Sequence, residues 1–165
     1  MHFNSFLFVF ISVICGCSKS MYSPKDLTSY LQEKIDKNDT VYLENKKYQI
    51  YSLKVGSNKT IIGKGEKTEI EKANTSRFNK NEPVFNIVGK NVIIKNVSVK
   101  GNIVNDEGEW NPAFAITPNN ENINNVIIEN VQILDVRGDG IYIGSHNEFT
   151  CSDIFINNIK VKNWL

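Results

Sequence analysis

From Thr40 to the last residue, apolar and polar positions alternate in short runs separated by turn residues. TVYLENKKYQI, KTIIGKG, PVFNIVG, NVIIKNVSVKGN, AFAIT, NVIIENVQILDV, GIYIG and DIFINNIKVKNW are rich in Val and Ile and have the period of two that marks strands. The period differs upstream. In SPKDLTSYLQEKIDKND, the residues Leu27, Tyr30, Leu31 and Ile35 recur at helical spacing and make one apolar face. Ser23, Pro24 and Asp26 supply a hydroxyl cap, a proline in the first turn and an acid near the N-terminus, which predicts a helix over 23–39. Its apolar side must cover something. The first stretch, MHFNSFLFVFISVICGCSKS, holds an apolar run from Phe6 to Cys15, the length of a signal-peptide core and too short to span a bilayer.

The strand runs are copies of one another. NVIIKNVSV from Asn91, NVIIENVQI from Asn125 and DIFINNIKV from Asp153 form one unit, and VFNIVG, AFAITP and GIYIGS form a second that precedes each. The repeat is about 27 to 29 residues, with short strands and no helix in each period, the pattern of a parallel β-helix of about four to five coils. The chain thus reads as a signal peptide over 1–16, a tether over 17–22, a capping helix over 23–39 and β-helix repeats over 40–165. In each coil Phe85 and Ile87, Phe114 and Ile116, and Ile141 and Ile143 should point inward, with Asn86, Ala115 and Tyr142 outward. Asn96, Asn130 and Asn158 recur between strands. Each tolerates the left-handed backbone of a tight corner, and their stacked amides can hydrogen-bond along the axis.

Composition adds bounds. With 165 residues, 41% hydrophobic, 22% charged and a net charge of +1, this is one globular domain without the basic surplus of a nucleic-acid binder. Asn makes up roughly one residue in seven, and the corner ladder accounts for part of that excess. Once the signal segment is set aside, Cys151 is the one thiol outside the tether, which leaves no disulfide framework. In a strand repeat it reads as a small core residue.

Three features carry resemblances. Ile14-Cys15-Gly16-Cys17 resembles the lipobox of bacterial lipoproteins, which implies lipidation at Cys17 and an exported protein anchored at the cell envelope; an ordinary secretion signal and a buried N-terminal strand are the alternatives. TVYLENKKYQIYSLKVGSNKTIIGKGEKTEI, together with the repeat and corner asparagines, resembles the pectin lyase-like superfamily of right-handed parallel β-helices, in which an N-terminal helix caps the open end. Within it, RGDGIYI resembles the Asn-Thr-Asp-Gly-Ile strand of polygalacturonase-type glycoside hydrolases, which implies a catalytic carboxylate at Asp139. Arg137 and Gly138 replace the Asn and Thr of that motif. The family's later Gly-Asp-Asp, Gly-His-Gly and Arg-Ile-Lys strands do not occur here. Because the sequence stops in a repeat unit, it is expected to be the N-terminal part of a longer polysaccharide-degrading protein.

Glycosidic hydrolysis needs two carboxyl groups flanking the bond. Asp139 supplies one, and Asp106, Glu107 and Glu109 in the loop GNIVNDEGEWNP are candidate acidic partners. Trp110 and Tyr142 could face a sugar ring, His146 could complete the subsite, and Arg137 could pair with a uronate. The alternative for Asp139 is a turn residue whose carboxylate accepts backbone hydrogen bonds before the strand. With the partner acids of the family's next coil absent, these 165 residues are expected to have little or no hydrolase activity. A glycan-binding or purely structural surface β-helix is the other reading. No cofactor is expected. His146 and His2 make no metal site; Ca²⁺ held by the acidic loop, as in pectate lyases, is the alternative, although the spacing shows no dense oxygen shell.

Overall fold

The computed structural model describes residues 26–73, 82–102, 110–145 and 148–164. The described chain is mostly parallel β-sheet with one short helix at its N-terminal side, an arrangement compatible with a β-solenoid. The helix, α1, runs Thr28–Lys37. The strands follow as β1 (Thr40–Tyr42), β2 (Lys47–Ile50), β3 (Leu53–Val55), β4 (Lys59–Ile62), β5 (Glu69–Lys72), β6 (Phe85–Ile87), β7 (Val92–Lys100), β8 (Trp110–Asn111), β9 (Phe114–Ile116), β10 (Val126–Gly138), β11 (Ile141–Ile143) and β12 (Ile154–Trp164). The larger sheet has the order β1-β4-β7-β10-β12, with β2 and β5 alongside the second half of β7; the smaller has the order β11-β9-β6-β3. Every pairing in these stacks is parallel, and only the two-residue β8 runs antiparallel, against the end of β10.

The long strands turn within themselves. Asn96 in β7, Asn130 and Asp135 in β10, and Asn158 and Asn163 in β12 all have φ between 50° and 59°. Asparagine and aspartate enter this left-handed region at the least steric cost of any residue with a Cβ. The expected ladder is present: Asn130 Nδ2 donates to Asn96 Oδ1 at 3.2 Å and Asn158 Nδ2 to Asn130 Oδ1 at 2.7 Å. Two further ladders accompany it. Asn91 donates to Asn58 and Asn125 to Asn91, at 2.9 and 3.1 Å, and Asn163 donates to Asp135 at 2.9 Å. The ladder partners lie 33 or 34 residues apart at Asn58–Asn91 and Asn96–Asn130, and 28 apart at Asn130–Asn158. The period of about 27 to 29 holds in the smaller sheet, where Phe85 pairs with Phe114 and Phe114 with Ile141, and lengthens in the ladders where a longer loop intervenes.

One contiguous apolar core lies between the sheets. Phe85, Ile87, Phe114 and Ile116 are fully buried, and the Phe85 and Phe114 rings stack at 5.2 Å with planes 6° apart, close to the spacing of paired strands. Four expectations need correction. Ala115 projects away from the core yet is buried, because its methyl group sits between the longer Asn86 and Tyr142 in the same row. Ile143 projects inward but is 45% exposed, since β11 is paired on one side only among the described residues. The helix begins at Thr28 rather than Ser23, which lies outside the described residues with Pro24. Asp26 accepts hydrogen bonds from the Thr28 amide and hydroxyl just ahead of the first turn. Leu31 and Ile35 are buried as the apolar face requires, whereas Tyr30 is exposed under the Lys34 ammonium.

On the outer surface beside β2, β5 and β7, charges interlock. Lys47 bridges Glu69 and Glu71, and Lys100 bridges Glu71 and Asp135. Burial works against the Glu71 charge, but hydrogen bonds from Gln49, Lys100 and Lys47 outweigh it and hold its carboxyl below the usual range.

Candidate glycan-binding groove

Parallel registry fixes the outer surface of the smaller sheet. Leu53 pairs with Phe85 and Phe114 with Ile141, so the alternate positions Lys54, Asn86, Ala115 and Tyr142 fall in one row across β3, β6, β9 and β11. A groove of about 490 Å³ runs along this row, lined by Lys54, Asn86, Thr117, Asn119, Tyr142 and Ser145 together with Val88 and Pro118. The Thr117 hydroxyl donates to Asn86 Oδ1 at 3.4 Å, and the Tyr142 ring lies against Gly144, where a Cβ would come within 2.6 Å of it. An ammonium, two amides, three hydroxyls counting the phenol and one aromatic ring thus converge on one surface. Such a set can hydrogen-bond several sugar hydroxyls and attract one carboxylate.

Asp139 stands elsewhere. The left-handed residue of its turn is Gly138, at φ 85°, and the exposed Asp139 carboxylate makes no hydrogen bond or ion pair among the described residues. The carboxylate is therefore not what holds the turn, contrary to the structural alternative. It lines a second hollow of about 480 Å³, whose other residues are Ile133, Gly138, Gly140, Ile141, Ile159 and Val161, mostly inward-facing side chains of the last strands. Asp139 and Tyr142 thus border different concavities, although only three residues separate them.

Arg137 pairs with Asn111 and Gly138 with Trp110 along β8, so the backbone of Trp110 is brought beside the Asp139 turn; the Trp110 side chain lies outside the description. Asp106, Glu107, Glu109, His146 and Cys17 all lie outside the described residues. Cys151 packs against the core with its thiol pKa raised by burial, and its S–H donates to the Gly144 carbonyl at 3.3 Å. That is the environment of an inert thiol. Among the described residues, no three His, Cys, Asp or Glu side chains gather where a metal ion could be held, and no helix is long and apolar enough to cross a membrane.

Sequence reasoning placed Tyr142 and Asn86 on the outer row and missed Lys54, Thr117, Asn119 and Ser145. Lys54 was recoverable from the alternation in LKV, which forms its own strand, β3. The other three flank strand ends, where no periodicity marks them. No protein-family model, curated protein or solved structure matches the chain.

Proposed function

We propose that this chain is a right-handed parallel β-helix of the pectin lyase-like kind, exported and anchored at the cell envelope through Cys17, that binds acidic polysaccharide along the outer face of β3, β6, β9 and β11. One observation carries the reading: Lys54, Asn86 and Tyr142 are aligned by strand registry along a polar groove. A row of that kind spans successive layers about 4.8 Å apart, which suits a linear polymer better than a single small ligand. Lys54 supplies the charge for a uronate carboxylate, and Tyr142 offers a ring edge or face to a pyranose.

A polysaccharide-degrading activity is the second reading. One fact favours it: the Asp139 carboxylate is exposed and uncommitted at the start of β11. A hydrolase needs a second carboxyl group placed across the bond, so the chain of 165 residues is expected to bind without turnover.

Affinity electrophoresis through polygalacturonate tests the proposal. Retardation should fall about tenfold or more in Lys54→Ala with Tyr142→Ala and stay unchanged in Asp139→Asn, with no reducing ends released. Equal mobility with and without the polymer would sink the binding reading. Reducing ends that appear with wild type and vanish in Asp139→Asn would establish the catalytic one instead.

A further inference from the structure

We propose that a second polar cleft, at the asparagine corner of the larger sheet, binds a single neutral sugar ring. The cleft holds about 190 Å³ and is lined by Glu66, Asn96, Asn130, Gln132, Asn158 and Lys160 around the backbone of Gly65 and Val131. It shares no residue with the groove on the smaller sheet, so the two sites stand or fall separately.

The floor is the ladder Asn96–Asn130–Asn158. Each Nδ2 carries two hydrogens, and the ladder uses one from Asn130 and one from Asn158. One N–H remains on each of these, and among the described residues both remain on Asn96. In the layer beneath, the ladder meets Gly63, which has no side chain to accept; a Cβ there would come within 2.2 Å of the Asn96 carbonyl oxygen. Beside the ladder, the Gln132 side chain makes no hydrogen bond among the described residues. Registry sets Ser98 on one side of Gln132 and Lys160 on the other, all three projecting the same way. Ser98 is 1% exposed, and its hydroxyl has no hydrogen-bond partner. An unsatisfied buried hydroxyl next to an uncommitted amide is a second, independent sign of a polar ligand.

The wall is the single 3-10 turn Gly65–Lys67, which leans over the corner. Thr68 pins it. Its hydroxyl accepts from the Lys64 amide at 2.9 Å and donates to the Glu44 carbonyl at 3.0 Å, and its carbonyl accepts from the Ser98 amide at 2.8 Å. A wall fixed beforehand lowers the ordering cost of binding. From it the Glu66 carboxylate meets the Lys160 ammonium at 3.4 Å.

These groups select the ligand. The amide hydrogens donate, while Gln132 Oε1, Ser98 Oγ and Glu66 accept, and a sugar hydroxyl does both. Glu66 and Lys160 cancel each other, which leaves no charge to attract an ion of either sign. At about 30 Å³ per water, the cleft has room for about six waters, which suits one six-membered ring and not a drug-sized molecule. No aromatic ring lines it, so affinity rests on hydrogen bonds and is expected in the millimolar range.

The side-chain amide signals of Asn96, Asn130 and Gln132 in NMR spectra of the isotope-labelled protein read the site directly. Methyl galactoside or methyl glucoside should shift them saturably, and galacturonate should bind no more tightly, since Glu66 already holds the ammonium. Gln132→Leu and Glu66→Ala should each weaken binding about fivefold or more, the worth of one hydrogen bond, with the thermal midpoint little changed. Lys54→Ala, in the groove, should leave it intact. Absence of saturable shifts with both methyl glycosides, indifference to both cleft variants, or tighter binding of galacturonate would overturn the proposal. So would shifts confined to Lys54, Asn86 and Tyr142, which would assign the sugar to the groove.

Discussion

At the N-terminal side of the stack, Leu31 and Ile35 of α1 are buried against the first strands, and Gln32 stands in for a missing strand along β3. Thr28 accepts from the Tyr51 amide, the Leu27 amide donates to Gln49, and Lys59 reaches the carbonyls of Asp36 and Asn38. At the other side, β11 and β12 carry the same inward pattern as the strands beneath them, and among the described residues nothing lies over it. The interior layers are nearly interchangeable, so the difference between the two sides comes from what lies over them. A parallel stack has no internal means of ending itself: each layer satisfies its neighbour and presents the same demand on its far side. A helix can meet that demand because it brings an apolar stripe and a side-chain amide, which imitates one peptide group.

The largest expected contrast is in packing. Leu31→Ala removes a side chain that is 1% exposed and should cost about 2–5 kcal/mol in urea unfolding. Val161→Ala, at 46% exposure, should cost less than about 1 kcal/mol. Similar losses for the two would mean that the β12 side is covered in solution. A smaller contrast lies in the ladder. Asn130→Ala removes two side-chain hydrogen bonds and forces alanine into φ 53°, so about 2–3 kcal/mol is expected; Asn158→Ala removes one hydrogen bond at φ 50° and should cost about 1 kcal/mol less. Asn130→Gly should recover part of the loss, because glycine relieves the backbone and not the hydrogen bonds.

The smallest effect is electrostatic. Glu71 has its folded-state pKa depressed by hydrogen bonds from Gln49, Lys100 and Lys47 against the opposing effect of burial, so its contribution is complete above the ordinary carboxylate range and is lost as pH falls through the lowered value. Glu71→Gln should flatten the acid limb of a stability–pH profile. Lys160→Gln, whose partner Glu66 is as exposed as Lys160 itself, should leave that limb unchanged. An acid limb unaltered in Glu71→Gln would show that the cluster is screened in solution.

Periodicity made the strands legible: runs such as NVIIENVQILDV have one reading when every second residue is Val or Ile and a copy recurs downstream. Asn96, Asn130 and Asn158 were readable as corners for the same reason, a repeated residue type with a backbone preference. The two-residue β8 was not legible, since its pairing with Arg137 and Gly138 is a long-range contact without local signature. The groove was legible only in part. Alternation said that Asn86 and Tyr142 share a face, but which residues share their row depends on loop lengths, and those set the registry that brings Lys54 into line.

By itself the sequence determined the strand pattern, the inward residues and the corners, because each is written in local alternation and in residue types with distinct steric limits. Only the tertiary structure decided that Asp139 faces an apolar hollow while Tyr142 faces the polar groove, and that Ile143 is half-exposed while Ile116 is not. Those outcomes depend on which strand lies above or below, a relation between residues far apart in the chain that no local pattern encodes.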